Sequence, residues 1–235
     1  MLSAVVLDIE GTICPITFVK NVLYPYFTER FPAIVNGLEF PLDSTSSDPI
    51  VSLLVQLPPE IIVSPTSIIE YFADLVAKDI KHPVLKGLQG YIWKLGYENG
   101  EVVAPIYPDS VDFIRNCPIP IYIYSSGSIK AQKLLFQYVG DKGNKTIDLN
   151  PKLSGYFDIT TAGYKNLPGS YTKIVQEIGK SPNSVLFLSD NVNEVNAALQ
   201  AGLQSSVVIR EGNAPLSEQD LQKFTTIRSL DQVKP

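Results

Sequence analysis

The chain is poor in the residues that would make several functional classes possible. Among its 235 residues there are two cysteines, one histidine and one tryptophan. Two cysteines, Cys14 and Cys117, argue against a disulfide-stapled scaffold and fit a reducing compartment. Cys14 has no histidine beside it, so it reads as a buried or spectator thiol rather than a nucleophile. The lone histidine, His82, precedes Pro83 in an apolar block and carries no signal of a catalytic role. Positive charge is also short: 19 basic against 24 acidic residues give a net charge of -5. Without a basic excess to neutralise phosphates, a nucleic-acid partner is not expected. An anionic small molecule would need a metal ion or a few placed lysines to hold it. Long hydrophobic runs are missing too, and none approaches the roughly 20 residues of a membrane span. Met1-Leu2-Ser3 leads straight into the first predicted strand, so no signal peptide is expected. These absences predict a soluble, cytoplasmic protein for which a monomer suffices.

What is present is enough apolar sequence, 45%, to build one large domain or two modest ones. The organising stretch is Ala4–Thr12, AVVLDIEGT. Four apolar residues run into Asp8, Glu10 follows two positions later, and Gly11-Thr12 breaks the pattern. This reads as a buried strand meeting a sharp turn, and ligands gather outside the carboxyl ends of such strands. A lone acidic pair after a strand is more often a turn, so Asp8 needs partners elsewhere.

The segment Ile13–Phe18 is apolar, carries Pro15, and reads as a turn or flap. From Lys20 the period becomes helical, with Pro25 at a helix start or kink. After the polar loop Pro41–Pro49, apolar residues recur through Ile50–Leu57, Ile68–Ile80 and Val84–Leu95 with no strand signal. Residues 19–104 are therefore expected to be an inserted all-helical domain, with Trp93 and its neighbouring tyrosines in its core. Gly100–Pro108 reads as the return linker. Strands at Ile119–Ser125, Phe157–Thr161, Val185–Ser189 and Ser206–Ile209 then alternate with helices at Ser128–Val139, Ser170–Ile178, Asn193–Ala201 and Ser217–Phe224, and Asp141–Lys152 reads as a loop. This alternation predicts βαβ units and a parallel sheet built from residues 1–18 and 105–235.

The strand ends carry Asp8 and Glu10, Ser125 and Ser126, the segment holding Lys165, and Asp190. In a parallel sheet they face one crevice. The set suits phosphoryl transfer. Asp8 can attack phosphorus, and Mg²⁺ held by Asp8 and Asp190 can offset the charge. The hydroxyl of Ser125 or Ser126 can grip phosphate oxygens near a helix start, and Lys165 adds a fixed positive charge. Taken singly, Ser125-Ser126-Gly127 also reads as a helix cap, Lys165 as a surface lysine and Asp190 as a cap.

Together, Asp8-Ile9-Glu10-Gly11-Thr12, Ser125-Ser126-Gly127, Lys165 and Ser189-Asp190 resemble the motifs of the haloacid dehalogenase superfamily, whose first motif usually has Asp at the position of Glu10. Leu88-Gln89-Gly90-Tyr91-Ile92-Trp93, Gly163-Tyr164-Lys165 before Ser170-Tyr171, and Ile209-Arg210-Glu211-Gly212-Asn213 narrow the resemblance to the enolase-phosphatases of methionine salvage, also called acireductone synthases. It runs from Val5 to about Asn213. Two departures are Tyr91, where the family more often has His, and the longer Asp141–Lys152 segment. The resemblance implies an α/β fold: a doubly wound parallel-sheet core with an inserted all-helical cap over the crevice. It implies one Mg²⁺ and the substrate 2,3-diketo-5-methylthiopentyl-1-phosphate, enolised and then dephosphorylated to the acireductone. It further implies a metal site of Asp8, Glu10 and Asp190, catalytic roles for Asp8, Glu10 and Lys165, and substrate contacts from Ser125, Ser126 and Lys165. A nuclear share beside the cytoplasmic one is an expectation of the same resemblance. The alternatives are another Mg²⁺-dependent phosphomonoesterase of the fold, a halide-releasing dehalogenase, and a scaffold that has lost activity. The intact Asp8, Lys165 and Asp190 argue against the last.

Overall fold

The computed structural model describes residues 1–78, 80, 82–141 and 145–235. They divide into two compact units, Met1–Phe18 with Val103–Pro235, and Val19–Val102.

The first unit is built on a parallel sheet. Its strands are β1 (Ala4–Leu7), β2 (Ile121–Tyr124), β5 (Gly155–Phe157), β6 (Val185–Ser189), β7 (Gln204–Val208) and β8 (Thr226–Ile227), in the order β5-β2-β1-β6-β7-β8. Every pairing along it is parallel. Burial on both faces explains why the inner strands are near-continuous apolar runs: β1 and β6 are buried at every position. Helices α5 (Pro108–Asn116), α6 (Ile129–Gln137), α7 (Pro168–Glu177), α8 (Val192–Gln200) and α9 (Glu218–Lys223) supply the crossovers and the terminal segment. Tyr124, Tyr171 and Phe187 form an aromatic core, with Tyr171 and Phe187 centroids 4.9 Å apart at a steep angle. Chain order reverses about β1, because the chain winds outward through β2 and β5 and then crosses back to β6. The carboxyl ends of β1, β2 and β6 therefore flank a topological switch point.

Three segments differ from the sequence expectation. Pro108–Asn116 is a helix, in a stretch between the linker expected at Gly100–Pro108 and the strand expected at Ile119–Ser125 for which the sequence predicts no element. Its nine residues bury Ser110, Val111 and Ile114, too short a stripe to stand out as periodic. The Asp141–Lys152 stretch is not simply a loop, since β4 (Lys145–Ile147) within it pairs antiparallel with β3 (Val139–Asp141). Its residues 142–144 lie outside the described residues. Finally, the strand expected at Phe157–Thr161 ends at Phe157, because the Asp158 carboxylate accepts hydrogen bonds from the backbone N–H groups of Thr160 and Thr161 and turns the chain.

The second unit is all-helical among the described residues: α1 (Tyr24–Asn36), α2 (Pro49–Leu54), α3 (Pro65–Ala77) and α4 (Pro83–Glu98). Three of the helices start the same way, with a side-chain acceptor followed by proline. Asp48 Oδ1 accepts from Ile50 N at 2.8 Å, Ser64 Oγ from Ser67 N at 3.2 Å, and His82 Nδ1 from Val84 N at 3.2 Å. The proline at the first position has no N–H to leave unpaired. His82 is thus a helix cap, in keeping with its lack of a catalytic signal. Phe27, Phe31, Leu54, Ile68, Phe72, Leu88 and Ile92 form the core, and Trp93 packs against it while donating Nε1 to the Leu23 carbonyl at 2.8 Å. Among the described residues no helix is long and apolar enough to cross a membrane.

Candidate active site

Asp8 is the first residue beyond β1 and is 6% exposed. Its Oδ1 accepts from the Ile9 backbone N–H at 2.8 Å and lies 2.6 Å from Lys165 Nζ. Ser189 Oγ, at the end of the neighbouring β6, donates to Asp8 Oδ2 at 3.1 Å. One carboxylate oxygen therefore faces a cation and the other a neutral hydroxyl.

Lys165 comes from the loop after β5, and its buried ammonium is no surface charge. Burial alone would favour the neutral amine, but Asp8 and Glu194 outweigh it and hold the pKa above the ordinary lysine value. Three hydroxyls fix the loop by donating to successive carbonyls. Tyr124 Oη reaches Gly163 O at 2.6 Å, Ser170 Oγ reaches Tyr164 O at 2.7 Å, and Tyr171 Oη reaches Lys165 O at 2.6 Å. Gly163 must be glycine on two counts: its φ is +111°, and a Cβ there would lie 2.7 Å from Ser170 Oγ.

A residue absent from the sequence reading completes this cluster. Glu194, in the first turn of α8, places Oε2 2.6 Å from Lys165 Nζ and 2.8 Å from Ser189 Oγ. Lys165 thereby bridges two buried carboxylates, while the single proton of Ser189 Oγ serves one of them at a time. The sequence signal was the acid four positions after Asp190, which resembles the exposed acidic first turn of many helices.

Glu10 and Asp190 surround the pair. Burial, and then the charge of Asp8, push the Glu10 carboxyl up to about 7 against the opposing pull of Lys165. Asp190 is pushed up to about 7 by burial, then by Asp8 and Glu194. Asp190 is not the cap of α8, since Asn191 Oδ1 takes that role by accepting from Asn193 N at 2.9 Å. Its backbone N–H donates instead to Thr12 Oγ1 at 3.0 Å. The Asp190 carboxylate rests on Gly11, where a Cβ would lie 2.5 Å from Oδ2. Any side chain at position 11 would displace it.

Ser125 is the first residue beyond β2 and is buried; its Oγ accepts from Gly127 N at 3.4 Å, while Ser126 is exposed. Neither caps α6, because Ser128 Oγ accepts from Ala131 N. Both hydroxyls remain available for other work. Cys14 is buried, and burial pushes its thiol far above the ordinary range, so it stays protonated.

Four carboxylates, Asp8, Glu10, Asp190 and Glu194, thus share one ammonium. Among the described residues no three His, Cys, Asp or Glu side chains form a metal cage by themselves. A small hard cation such as Mg²⁺ takes one or two carboxylates and completes its shell with waters and substrate oxygens. The oxygen-only donors and surplus negative charge fit such an ion.

The haloacid dehalogenase-like hydrolase family matches residues 2–202. The enolase-phosphatase E1 of Candida tropicalis is 57% identical over 99% of this chain and 98% of its own length, and that of Scheffersomyces stipitis 58% over 99% of each. Among solved structures, the UTR4 protein of Saccharomyces cerevisiae superposes with a TM-score of 0.89 at 42% identity, covering 99% of this chain and all of its own. CbbY of Rhodobacter sphaeroides, with a TM-score of 0.60 at 16% identity over 99% of this chain and 96% of its own, shares the fold alone. The chain belongs to the haloacid dehalogenase-like hydrolases and, within them, to the enolase-phosphatase E1 family.

Proposed function

We propose that this enzyme enolises 2,3-diketo-5-methylthiopentyl-1-phosphate and then removes its phosphate, yielding the acireductone of methionine salvage. The observation that carries the reading is the Asp8 carboxylate at the end of β1, held at 2.6 Å by Lys165 and accompanied by Glu10, whose carboxyl is pushed up to about 7. Residues 1–18 and 103–235 are the catalytic core in this reading, and residues 19–102 the cap domain of the family.

Mg²⁺, held by Asp8 and Asp190 with Glu10 beside them, would supply charge neutralisation and polarisation of substrate oxygens. The remaining work falls to the chain. Glu10 accepts the proton alpha to the substrate carbonyl, since a carboxyl poised near neutrality can both take up and release a proton. Lys165 stabilises the developing enolate oxygen. Asp8 Oδ then attacks phosphorus, the ester P–O bond breaks, and Glu10 returns a proton to the leaving oxygen. Water attacks the aspartyl phosphate, freeing inorganic phosphate and regenerating Asp8, while Glu10 takes the water's proton and passes it to the enolate oxygen, which completes the enediol and restores the Glu10 carboxylate. The hydroxyls of Ser125 and Ser126 hold the phosphate oxygens.

Replacement of Asp8 by Asn tests the nucleophile. It preserves size but removes the attacking charge, so phosphate release from the diketo phosphate should cease while enolisation continues. Full turnover by Asp8→Asn would remove Asp8 as nucleophile. Phosphate release from simple esters only would keep the hydrolase chemistry but discard the pathway.

A further inference from the structure

Beyond β7 the chain makes a tight turn, Arg210-Glu211-Gly212-Asn213, in which Asn213 N donates to Arg210 O at 3.2 Å. Both ends of this turn reach the loop after β1. Arg210 Nε donates to the Thr12 carbonyl at 2.9 Å, and Asn213 Nδ2 donates to the Gly11 carbonyl at 2.8 Å. The loop's own hydrogen bonds use the carbonyls of Ile9 and Cys14, and the Tyr107 N–H takes that of Ile13, whereas the adjacent Gly11 and Thr12 carbonyls are gripped by side chains from this turn. Arg210 is itself fixed: its side chain is 8% exposed, Nη2 donates to Asp109 Oδ2 at 2.8 Å and to Ser110 Oγ at 3.1 Å, and its guanidinium lies 4.5 Å over the Tyr107 ring.

The gripped residues carry the hold on to Asp190. Thr12 Oγ1 accepts from the Asp190 N–H, and Asp190 Oδ2 rests against Gly11. A second observation concerns Asn213 Oδ1, which is buried and has no hydrogen-bond partner among the described residues. Its amide is oriented by Nδ2, which donates to Val208 O at 3.3 Å as well as to Gly11 O. Oδ1 then lies 3.1 Å from the point where a Gly11 Cβ would be, the same point that is 2.5 Å from Asp190 Oδ2. An unpaired amide oxygen and a carboxylate oxygen converge over one glycine. A buried acceptor without a donor is costly, so its placement there calls for a donor. The water ligands of a hydrated cation are donors of that kind.

We propose that Arg210 and Asn213 are positioning residues for Asp190. They clamp the Gly11 and Thr12 carbonyls, and Asn213 Oδ1 accepts a hydrogen bond from the hydration shell of the cation that Asp190 holds. The inference rests on the Mg²⁺ reading above and extends it to residues outside the carboxylate cluster.

The test is calorimetric titration of the full-length, substrate-free protein with Mg²⁺ alone, for the parent, Asn213→Ala and Arg210→Lys. Outer-shell partners are worth about 10–100-fold in metal affinity, so Asn213→Ala should weaken Mg²⁺ binding at least about tenfold. Arg210→Lys keeps the charge facing Asp109 but loses the planar fork that spans Thr12 O and Asp109 Oδ2, so it should weaken binding as well. Thermal unfolding of the same samples separates a purely structural role, which would lower the melting temperature and leave the Mg²⁺ affinity of the folded protein unchanged. Parent-like affinity in both variants overturns this inference alone. Failure of the parent to bind Mg²⁺ overturns it together with the metal reading on which it stands.

Discussion

Removing the Lys165 ammonium should destabilise the α/β unit in a way that depends on pH. In Lys165→Met the chain keeps its bulk at position 165, but Asp8 and Glu194, whose side chains are 9% and 14% exposed, lose the cation 2.6 Å from each. Stripping one partner from a buried ion pair costs about 3–5 kcal/mol, because the remaining charge stays desolvated. A chain of this size loses about 2–4 °C of melting temperature per kcal/mol, so the deficit is roughly 6–20 °C when the carboxylates are ionised. Lysine titration does not set the pH dependence. The folded-state pKa of Lys165 is raised, so its contribution is complete below the ordinary lysine value and fades only as pH climbs past it. The dependence comes from Glu194, which burial already pushes up and Lys165 pulls down. Without Lys165 the folded variant holds a proton that the unfolded chain, with an ordinary glutamate pKa of 4.5, has released. Variant stability must therefore fall as pH climbs above that value. Thermal unfolding followed by circular dichroism in EDTA, at about pH 5 and pH 8, reads the effect. The account predicts a larger deficit at pH 8. Equal deficits at the two pH values, or no deficit, would refute the reasoning.

Other perturbations probe separate parts of the site. Glu10 and Asp190 are each pushed up to about 7, so the metal-free fold holds protons that the unfolded chain releases, and its stability drops as pH rises from about 4 through 7. Mg²⁺ must displace those protons, so the rise in melting temperature on adding Mg²⁺ should be small near pH 5.5 and full near pH 8; an equal rise at both would contradict the assignment. Glu10→Gln cannot shuttle a proton and should slow enolisation about 10²–10⁴-fold, measured as growth of enediol absorbance, whereas a parent-like rate would remove Glu10 from that step. Tyr171→Phe deletes the donor to the Lys165 carbonyl, leaving a buried acceptor unpaired at a cost of about 1–3 kcal/mol; unchanged stability and turnover would show that the three-hydroxyl tether does not position Lys165.

Much of the architecture was readable from runs and breaks in the sequence. The strand at Val185–Ser189 is found where an unbroken apolar stretch predicts it, because both faces of a central parallel strand are buried. Asp8 and Asp190 were legible as acids that end such runs. Segments whose burial is partial were not. The β4 strand has exposed Lys145 and Thr146 and a half-buried Ile147, with no alternation to betray its antiparallel pairing. Glu194 was hidden for the opposite reason: an acid in the first turn of a helix is ordinarily a solvated partner of the helix dipole, and only tertiary placement makes it a ligand of Lys165. Arg210 and Asn213 stood out as part of a motif, but their contacts with Gly11 and Thr12 cross about 200 residues of sequence and appear only in the fold.

The central claim, enolisation followed by dephosphorylation at one site, is tested most directly by stopped-flow mixing of the enzyme with the diketo phosphate. Ultraviolet absorbance and inorganic phosphate would be recorded together, with Mg²⁺ and then with excess EDTA. The account predicts an absorbing enediol that rises before or together with phosphate, and phosphate release that stops when the metal is withdrawn. Phosphate release that precedes any enediol absorbance, or that continues undiminished in EDTA, would contradict it.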